Sequence, residues 1–278
     1  MTTTSLRAGR AMALLGLAAL LAGASGSDAP SQRRAIREQR VELDGATIRA
    51  LCTDGARRVV LLHGDGADAD TWRPVLERLD GSVGACAYDR RGSGESVPEP
   101  ERRGWFELVD EMRRIHLALG FDRGYVVVGH DLGGLYARVF AADRPTDVAG
   151  LVLVDPSHED MLTRMQAGMP RSAWDAAVAA RSGTNADGVT ERAVGDRARS
   201  ARLVDVPVTV ITAALRRDGD GWDARFLNEA ARQAHEAILR GATFGRHIPA
   251  ARSTHEVQRD EPGLVADEIL RVVRASGR

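Results

Sequence analysis

The chain has 278 residues, enough for one or two domains at roughly 150 residues each, and its 44% hydrophobic and 28% charged content excludes a chain dominated by disorder. Its 38 basic and 39 acidic residues leave a net charge of −1, without the basic excess that a nucleic-acid or anionic-membrane partner demands. Every basic residue is arginine, and without a lysine amine a pyridoxal or other Schiff-base chemistry is excluded.

Arg7 and Arg10 precede an apolar run from Ala11 to Ala22, and Ala22-Gly23-Ala24 puts small residues where a signal peptidase reads. The pattern predicts a secretory signal peptide over residues 1–24, cleaved near residue 24, and a flexible lead-in over 25–37. The run is too short for a permanent span, and no cysteine follows it directly to carry a lipid. A secreted or periplasmic protein with no stable membrane anchor is therefore expected.

Residues 38–278 read as one α/β domain, because short β-branched runs alternate with amphipathic stretches. Val41-Glu42-Leu43 and Ala46 to Cys52 flank Asp44-Gly45, a hairpin turn. Arg58 to Leu62 is a buried strand entering His63-Gly64, and a helix follows near Trp72 to Leu79. The strand Val83 to Tyr88 leads into a polar loop, Asp89 to Ser96, in which Arg90 and Arg91 read as surface or loop-fixing charges. Residues 105–119 have helical spacing and stop at Gly120. Tyr125 to Val128 reads as a central parallel strand that breaks at Gly129 and restarts as a helix near Leu132. Leu151 to Val154 and Val208 to Ile211 are further strands, and helices cover roughly 222–240 and 262–274. Between them, residues 156–204 contain no buried-strand run and read as a helical lid inserted after a strand. Met161, Met165 and Met169 repeat at helical spacing there, suited to packing on the sheet domain or to an apolar pocket wall.

The most informative segment is Val128-Gly129-His130-Asp131-Leu132-Gly133-Gly134. A strand turns abruptly into a helix, and glycines two before and two after Asp131 leave room for a strained turn that lifts its side chain above the sheet. The helix that follows aims its N-terminal amides at that side chain, favouring negative charge.

Five motifs in order now resemble the α/β-hydrolase family over roughly residues 38–275. They are His63-Gly64, the loop Tyr88 to Ser96, the elbow, Leu153-Val154-Asp155-Pro156-Ser157-His158-Glu159-Asp160, and a late His255. The resemblance implies an α/β-hydrolase fold: a mostly parallel twisted sheet flanked by helices, with a small helical lid after the sixth strand. Most members carry serine at the elbow, and the chain contains no Gly-x-Ser-x-Gly. An aspartate there resembles the epoxide hydrolases and haloalkane dehalogenases, in which a carboxylate attacks a saturated carbon.

By that resemblance Asp131 displaces a leaving group to give an alkyl-enzyme ester, and His255 activates the water that cleaves it. Backbone amides of Leu132 and Asp65 form the oxyanion hole. Asp155, at a strand end with Pro156 fixing the turn, is favoured as the acid that orients His255; Asp218, where most relatives place theirs, is the alternative. Of the seven histidines, His247 beside the last strand reads as structural, while His116 and His235 on helices are expected to face solvent. His63 and His130 look like supports to the two turns, and His158 is placed near the lid entrance. No histidine pair has ligand spacing with a carboxylate beside it, so neither a metal nor another cofactor is expected. The family strand order sets the second strand beside the fourth, which brings Cys52 and Cys86 within reach of a disulfide worth about 3 to 4 kcal/mol.

Two departures bear on the substrate, which the resemblance implies is a small molecule. Epoxide hydrolases resemble one another in two lid tyrosines, whereas Tyr88, Tyr125 and Tyr136 all lie outside 156–204. Haloalkane dehalogenases carry tryptophan after the nucleophile and often asparagine after His-Gly; here these are Leu132 and Asp65, and a carboxylate repels a departing halide. Epoxide-like substrates are thus favoured over haloalkanes. An esterase relative with altered activity, or a non-catalytic binding module, stands as the alternative, and nothing in the pattern sets the oligomeric state.

Overall fold

Strands buried on both faces generate the architecture. In the computed structural model, which describes residues 1–2, 36–98, 100–166, 168–180, 183–203, 205–215 and 224–277, residues 33–278 form one compact unit. The predicted signal peptide and most of the lead-in lie outside the described residues, as does Asp218.

Eight strands form one sheet: β1 (Arg37–Leu43), β2 (Ala46–Cys52), β3 (Arg57–Leu62), β4 (Gly84–Tyr88), β5 (Tyr125–His130), β6 (Val148–Val154), β7 (Pro207–Ala213) and β8 (Phe244–Ala250). Their order is β1-β2-β4-β3-β5-β6-β7-β8. β2 runs antiparallel to β1 and β4, and the remaining neighbours are parallel. Asp44 and Gly45, at φ 50° and 75°, make the predicted tight turn between β1 and β2.

In β5 and β6 successive side chains enter opposite layers. Val127, Leu151 and Leu153 pack with α2 (Trp105–Ala118), α3 (Leu132–Asp143) and α6 (Glu191–Ser200). Val126, Val128, Val152 and Val154 pack with α1 (Arg73–Leu79) and α9 (Pro262–Ala275) on the other face. Both faces are covered, so the central strands read as unbroken apolar runs. Between β6 and β7 stand α4 (Met161–Gln166), α5 (Arg171–Ala180) and α6, where the helical insertion is expected. α7 (Ala224–Leu239) precedes β8, and the short α8 (Val257–Asp260) precedes α9.

Cys52 and Cys86 face each other across the β2–β4 pair and are joined in a disulfide. No helix among the described residues is long and apolar enough to cross a membrane.

Two histidines depart from expectation. His116 and His235 are both fully buried rather than solvent-facing. The His116 ring lies among Tyr88, Phe121, Tyr125 and Phe140 and hydrogen-bonds both tyrosine hydroxyls. Helical position alone does not reveal which face is inward when tyrosine hydroxyls supply polar partners inside the core.

Candidate active site

β5 ends at His130 and α3 begins at Leu132, leaving Asp131 alone in the turn at φ 49°, ψ −120°. A non-glycine residue in this region costs on the order of 1–3 kcal/mol, so its surroundings must enforce it. Here they do. The Asp131 amide donates to the Val154 carbonyl at 3.2 Å, and the Asp131 carbonyl accepts from Gly134 and Ser157 amides, each at 2.9 Å. A side chain at Gly129 would put its Cβ 2.3 Å from the Gly133 carbonyl oxygen, and one at Gly133 would stand 2.4 Å from that of His63. Only glycine at both positions lets α3 close over the strand ends.

The two Asp131 oxygens have different partners. Oδ2 accepts from the Asp65 amide at 3.2 Å, while Oδ1 accepts from the Ser157 hydroxyl at 2.7 Å and lies 3.8 Å from His255 Nε2. Leu132, the other expected amide donor, opens α3 directly beside them. Burial alone would raise the Asp131 pKa. His255 and His130, the Ser157 hydroxyl and the Asp65 amide outweigh burial and hold the carboxyl below its usual range.

His255 is held from behind. Its Nδ1 lies 2.6 Å from Asp155 Oδ2, directing Nε2 toward Asp131. Asp155 is itself at φ 41°, its side chain fully buried, with Oδ1 accepting from the Ala213 amide at 3.1 Å. The His255 carbonyl accepts from His130 Nε2 at 3.0 Å, and His130 Nδ1 accepts from Gln258 at 3.3 Å. These bonds require the proton of neutral His130 to sit on Nε2. Ligand atoms of His130, His255 and Glu256 lie within 4.8 Å of one another. Both His130 nitrogens are engaged in hydrogen bonds, and Glu256 accepts from Gln258 at 2.9 Å.

The structure therefore brings Asp131, His255, Asp155 and Asp65 together. It adds residues that spacing along the chain did not assign. Arg90 is a buried, loop-fixing charge and not a surface one: it pairs with Asp187 at 2.8 Å and donates to the carbonyls of His63 at 2.6 Å and Gly64 at 3.2 Å. The peptide linking Gly64 and Asp65 thus has its carbonyl on Arg90 and its N–H on Asp131. Asp187 accepts from the Tyr136 hydroxyl, which in turn accepts from Asn185, so the inserted segment is tied through Arg90 to the loop at His63–Asp65. His63 stays neutral well below its ordinary pKa because it is buried, with Arg90 beside it. The Asp65 carboxyl is raised, first by burial and then by Asp131 and Asp187. The His158 Nδ1 accepts from the Asp160 amide, and burial pushes its pKa down to about 4.

Ser157 was visible in the Asp155-Pro156-Ser157 motif but carried no role there. A hydroxyl two residues beyond the acid, directly after a proline, was the available signal. A cavity of about 500 Å³ opens between α3 and the inserted helices, lined in part by Leu135, His158, Trp174 and Thr190. Met161 and Met169 are half-buried in this insertion.

A family model described as alpha/beta hydrolase fold matches residues 57–250. The chain belongs to the alpha/beta hydrolase fold family. It is 25% identical over 232 residues to Bacillus subtilis "Uncharacterized protein YqjL", covering 82% of this chain and 88% of that one. It is 36% identical over 103 residues to the Enterobacter cloacae protein named "Putative carbamate hydrolase RutD", a match spanning 37% of this chain and 38% of its relative. The haloalkane dehalogenase DatA from Agrobacterium tumefaciens superposes with a TM-score of 0.62 at 16% identity, over 87% of this chain and 97% of its own, a likeness of fold.

Proposed function

We propose that the protein is an exported hydrolase that works through a covalent ester on Asp131. The observation carrying this reading is a strained, ionised carboxylate whose Oδ1 faces an imidazole anchored by a buried acid. In the first step Oδ1 attacks a saturated carbon and the leaving oxygen departs with its electron pair. In the second, His255 takes a proton from water, the hydroxide adds to the Asp131 carboxyl carbon, and the Asp65 amide holds the charge on Oδ2. Leu132 supplies the second amide in this scheme, and residues 156–204 act as the lid. No step calls for a metal or other cofactor.

Epoxide-like small apolar substrates suit this chemistry best. The Asp65 carboxyl disfavours a departing halide, whereas an opening epoxide keeps its oxygen attached and needs only a proton. The disulfide between Cys52 and Cys86 supports export, as does the apolar run at residues 11–22. Single-turnover hydrolysis of styrene oxide in oxygen-18 water tests the reading: Asp131 gains the label and the first product stays unlabelled. Labelled product with unlabelled Asp131 overturns it.

The likeness to a carbamate hydrolase favours a second reading, an esterase relative whose elbow serine has become Asp131. Under that reading Asp131→Ser gains hydrolysis of p-nitrophenyl esters, and the native protein turns over neither epoxide nor haloalkane.

A further inference from the structure

We infer that Ser157 is a catalytic residue of the second half-reaction, supplying the proton to Oδ1 as that oxygen leaves Asp131 with the substrate. The inference rests on the reading of Asp131 as nucleophile and deepens it. It begins from the unequal partners of the two carboxylate oxygens. Oδ2 lies on a backbone amide, the arrangement suited to accumulating negative charge. Oδ1 lies on a hydroxyl and toward His255 Nε2, both able to deliver a proton.

That division decides which bond breaks. When hydroxide adds to the carboxyl carbon of the ester, the charge collects on Oδ2. Collapse restores the carbonyl at Oδ2 and breaks the carbon–Oδ1 bond, whose electron pair stays on Oδ1. That oxygen is now an alkoxide on the substrate carbon and must gain a proton. Ser157 Oγ–H, 2.7 Å from Oδ1, provides it, and the imidazolium of His255, whose Nε2 faces the same oxygen at 3.8 Å, returns a proton to Ser157. The proton left on the new carboxyl group replaces the one that the epoxide oxygen took from solvent in the first step, so the cycle closes.

Ser157 is built to stay in place. Its amide donates to the Asp131 carbonyl at 2.9 Å, so the residue is tied to Asp131 by backbone and by side chain. The preceding Pro156 carbonyl accepts from buried His235 Nε2 at 2.8 Å, and Thr212 bonds His235 Nδ1 at 2.7 Å. The same hydroxyl makes resting Oδ1 a weaker nucleophile, because a hydrogen bond stabilises the charge that must be given up. Ser157 therefore acts with opposite sign on the two steps, which a merely structural residue does not.

The test measures ester formation and breakdown separately, by rapid quench and intact-protein mass spectrometry with styrene oxide. His255→Gln serves as the reference that traps the ester. In Ser157→Ala we expect formation as fast as in the native protein or faster, breakdown slower by about 100-fold, and a burst of enzyme carrying one substrate mass. Ser157→Thr keeps the hydroxyl and restores breakdown. Equal slowing of both steps, or unchanged breakdown in Ser157→Ala while His255→Gln still accumulates ester, overturns the role of Ser157 alone. Absence of the ester mass from both the native protein and His255→Gln overturns the nucleophile reading, and the Ser157 role with it.

Discussion

The turns after β5 and β6 use the same backbone device to opposite ends. Each places an aspartate in the left-handed region, Asp131 at φ 49° and Asp155 at φ 41°. The Asp131 side chain is 23% exposed, while that of Asp155 is fully buried. Asp131 is followed at once by a helix that glycines allow to pass close beneath it. Asp155 is followed by Pro156, and the next strand reaches over to donate the Ala213 amide to its carboxylate. Strain of this kind persists only where surrounding bonds over-determine it. Two adjacent strained carboxylates, one presented and one buried, are what a reactive group and its support require. The imidazole of His255 bridges them.

The largest effect is expected where the presented member is broken. On the proposed reading Asp131→Asn should lower kcat by on the order of 10⁴-fold or more in a protein that still folds, since a nucleophile acts as a unit with its base. Turnover retained within tenfold would remove Asp131 from the chemistry. Asp155→Asn should cost on the order of 10³- to 10⁴-fold by releasing the tautomer and orientation of His255. The low-field proton resonance expected from the His255–Asp155 bond should vanish with it. Persistence of that resonance would assign the bond elsewhere.

Next comes the support on the Asp131 side. Asp187→Asn leaves the buried Arg90 charge uncompensated, which costs about 3–5 kcal/mol. Arg90 also holds the peptide that presents the Asp65 amide. Ester breakdown should slow while the His255–Asp155 resonance stays. Loss of both would mean that the two turns are mechanically coupled rather than separately supported.

Reduction of the Cys52–Cys86 bridge should lower stability by about 3 to 4 kcal/mol in denaturant unfolding and leave kcat unchanged, because β2 and β4 lie away from both turns. The smallest effect separates the turns by pH. His158, just beyond Asp155, is pushed by burial from 6.5 down to about 4, so the folded protein keeps it neutral. Its contribution is complete above pH 6.5 and declines toward pH 4, as the unfolded chain takes the proton first. Asp131, held below its usual 3.8, contributes above that value and loses its share only at lower pH, as protonation reaches the folded carboxyl. His158→Gln should therefore flatten the stability profile between pH 6.5 and 4 and leave the more acidic limb alone.

The strand pattern, hairpin, elbow and helical insertion were legible because each depends on local period or on glycine and proline punctuation. The pairing of Cys52 with Cys86 and the places of Asp155 and His255 followed from family order. Of the two readings of Arg90, the loop-fixing one holds and the surface one does not: an arginine in a polar loop ordinarily stays solvated, and here Asp187, ninety-seven positions away, neutralises it in the interior. His116 and His235 were misread for a related reason, since their partners lie on other elements.

The order of residues by itself determined that a carboxylate, and no serine, stands in a glycine-flanked bend between a buried strand and a helix. Folding decided which of its oxygens meets an amide and which meets Ser157 and His255. That assignment depends on distances among four separate turns, and such distances exist only once the sheet has assembled and the water around those groups has been replaced by fixed partners.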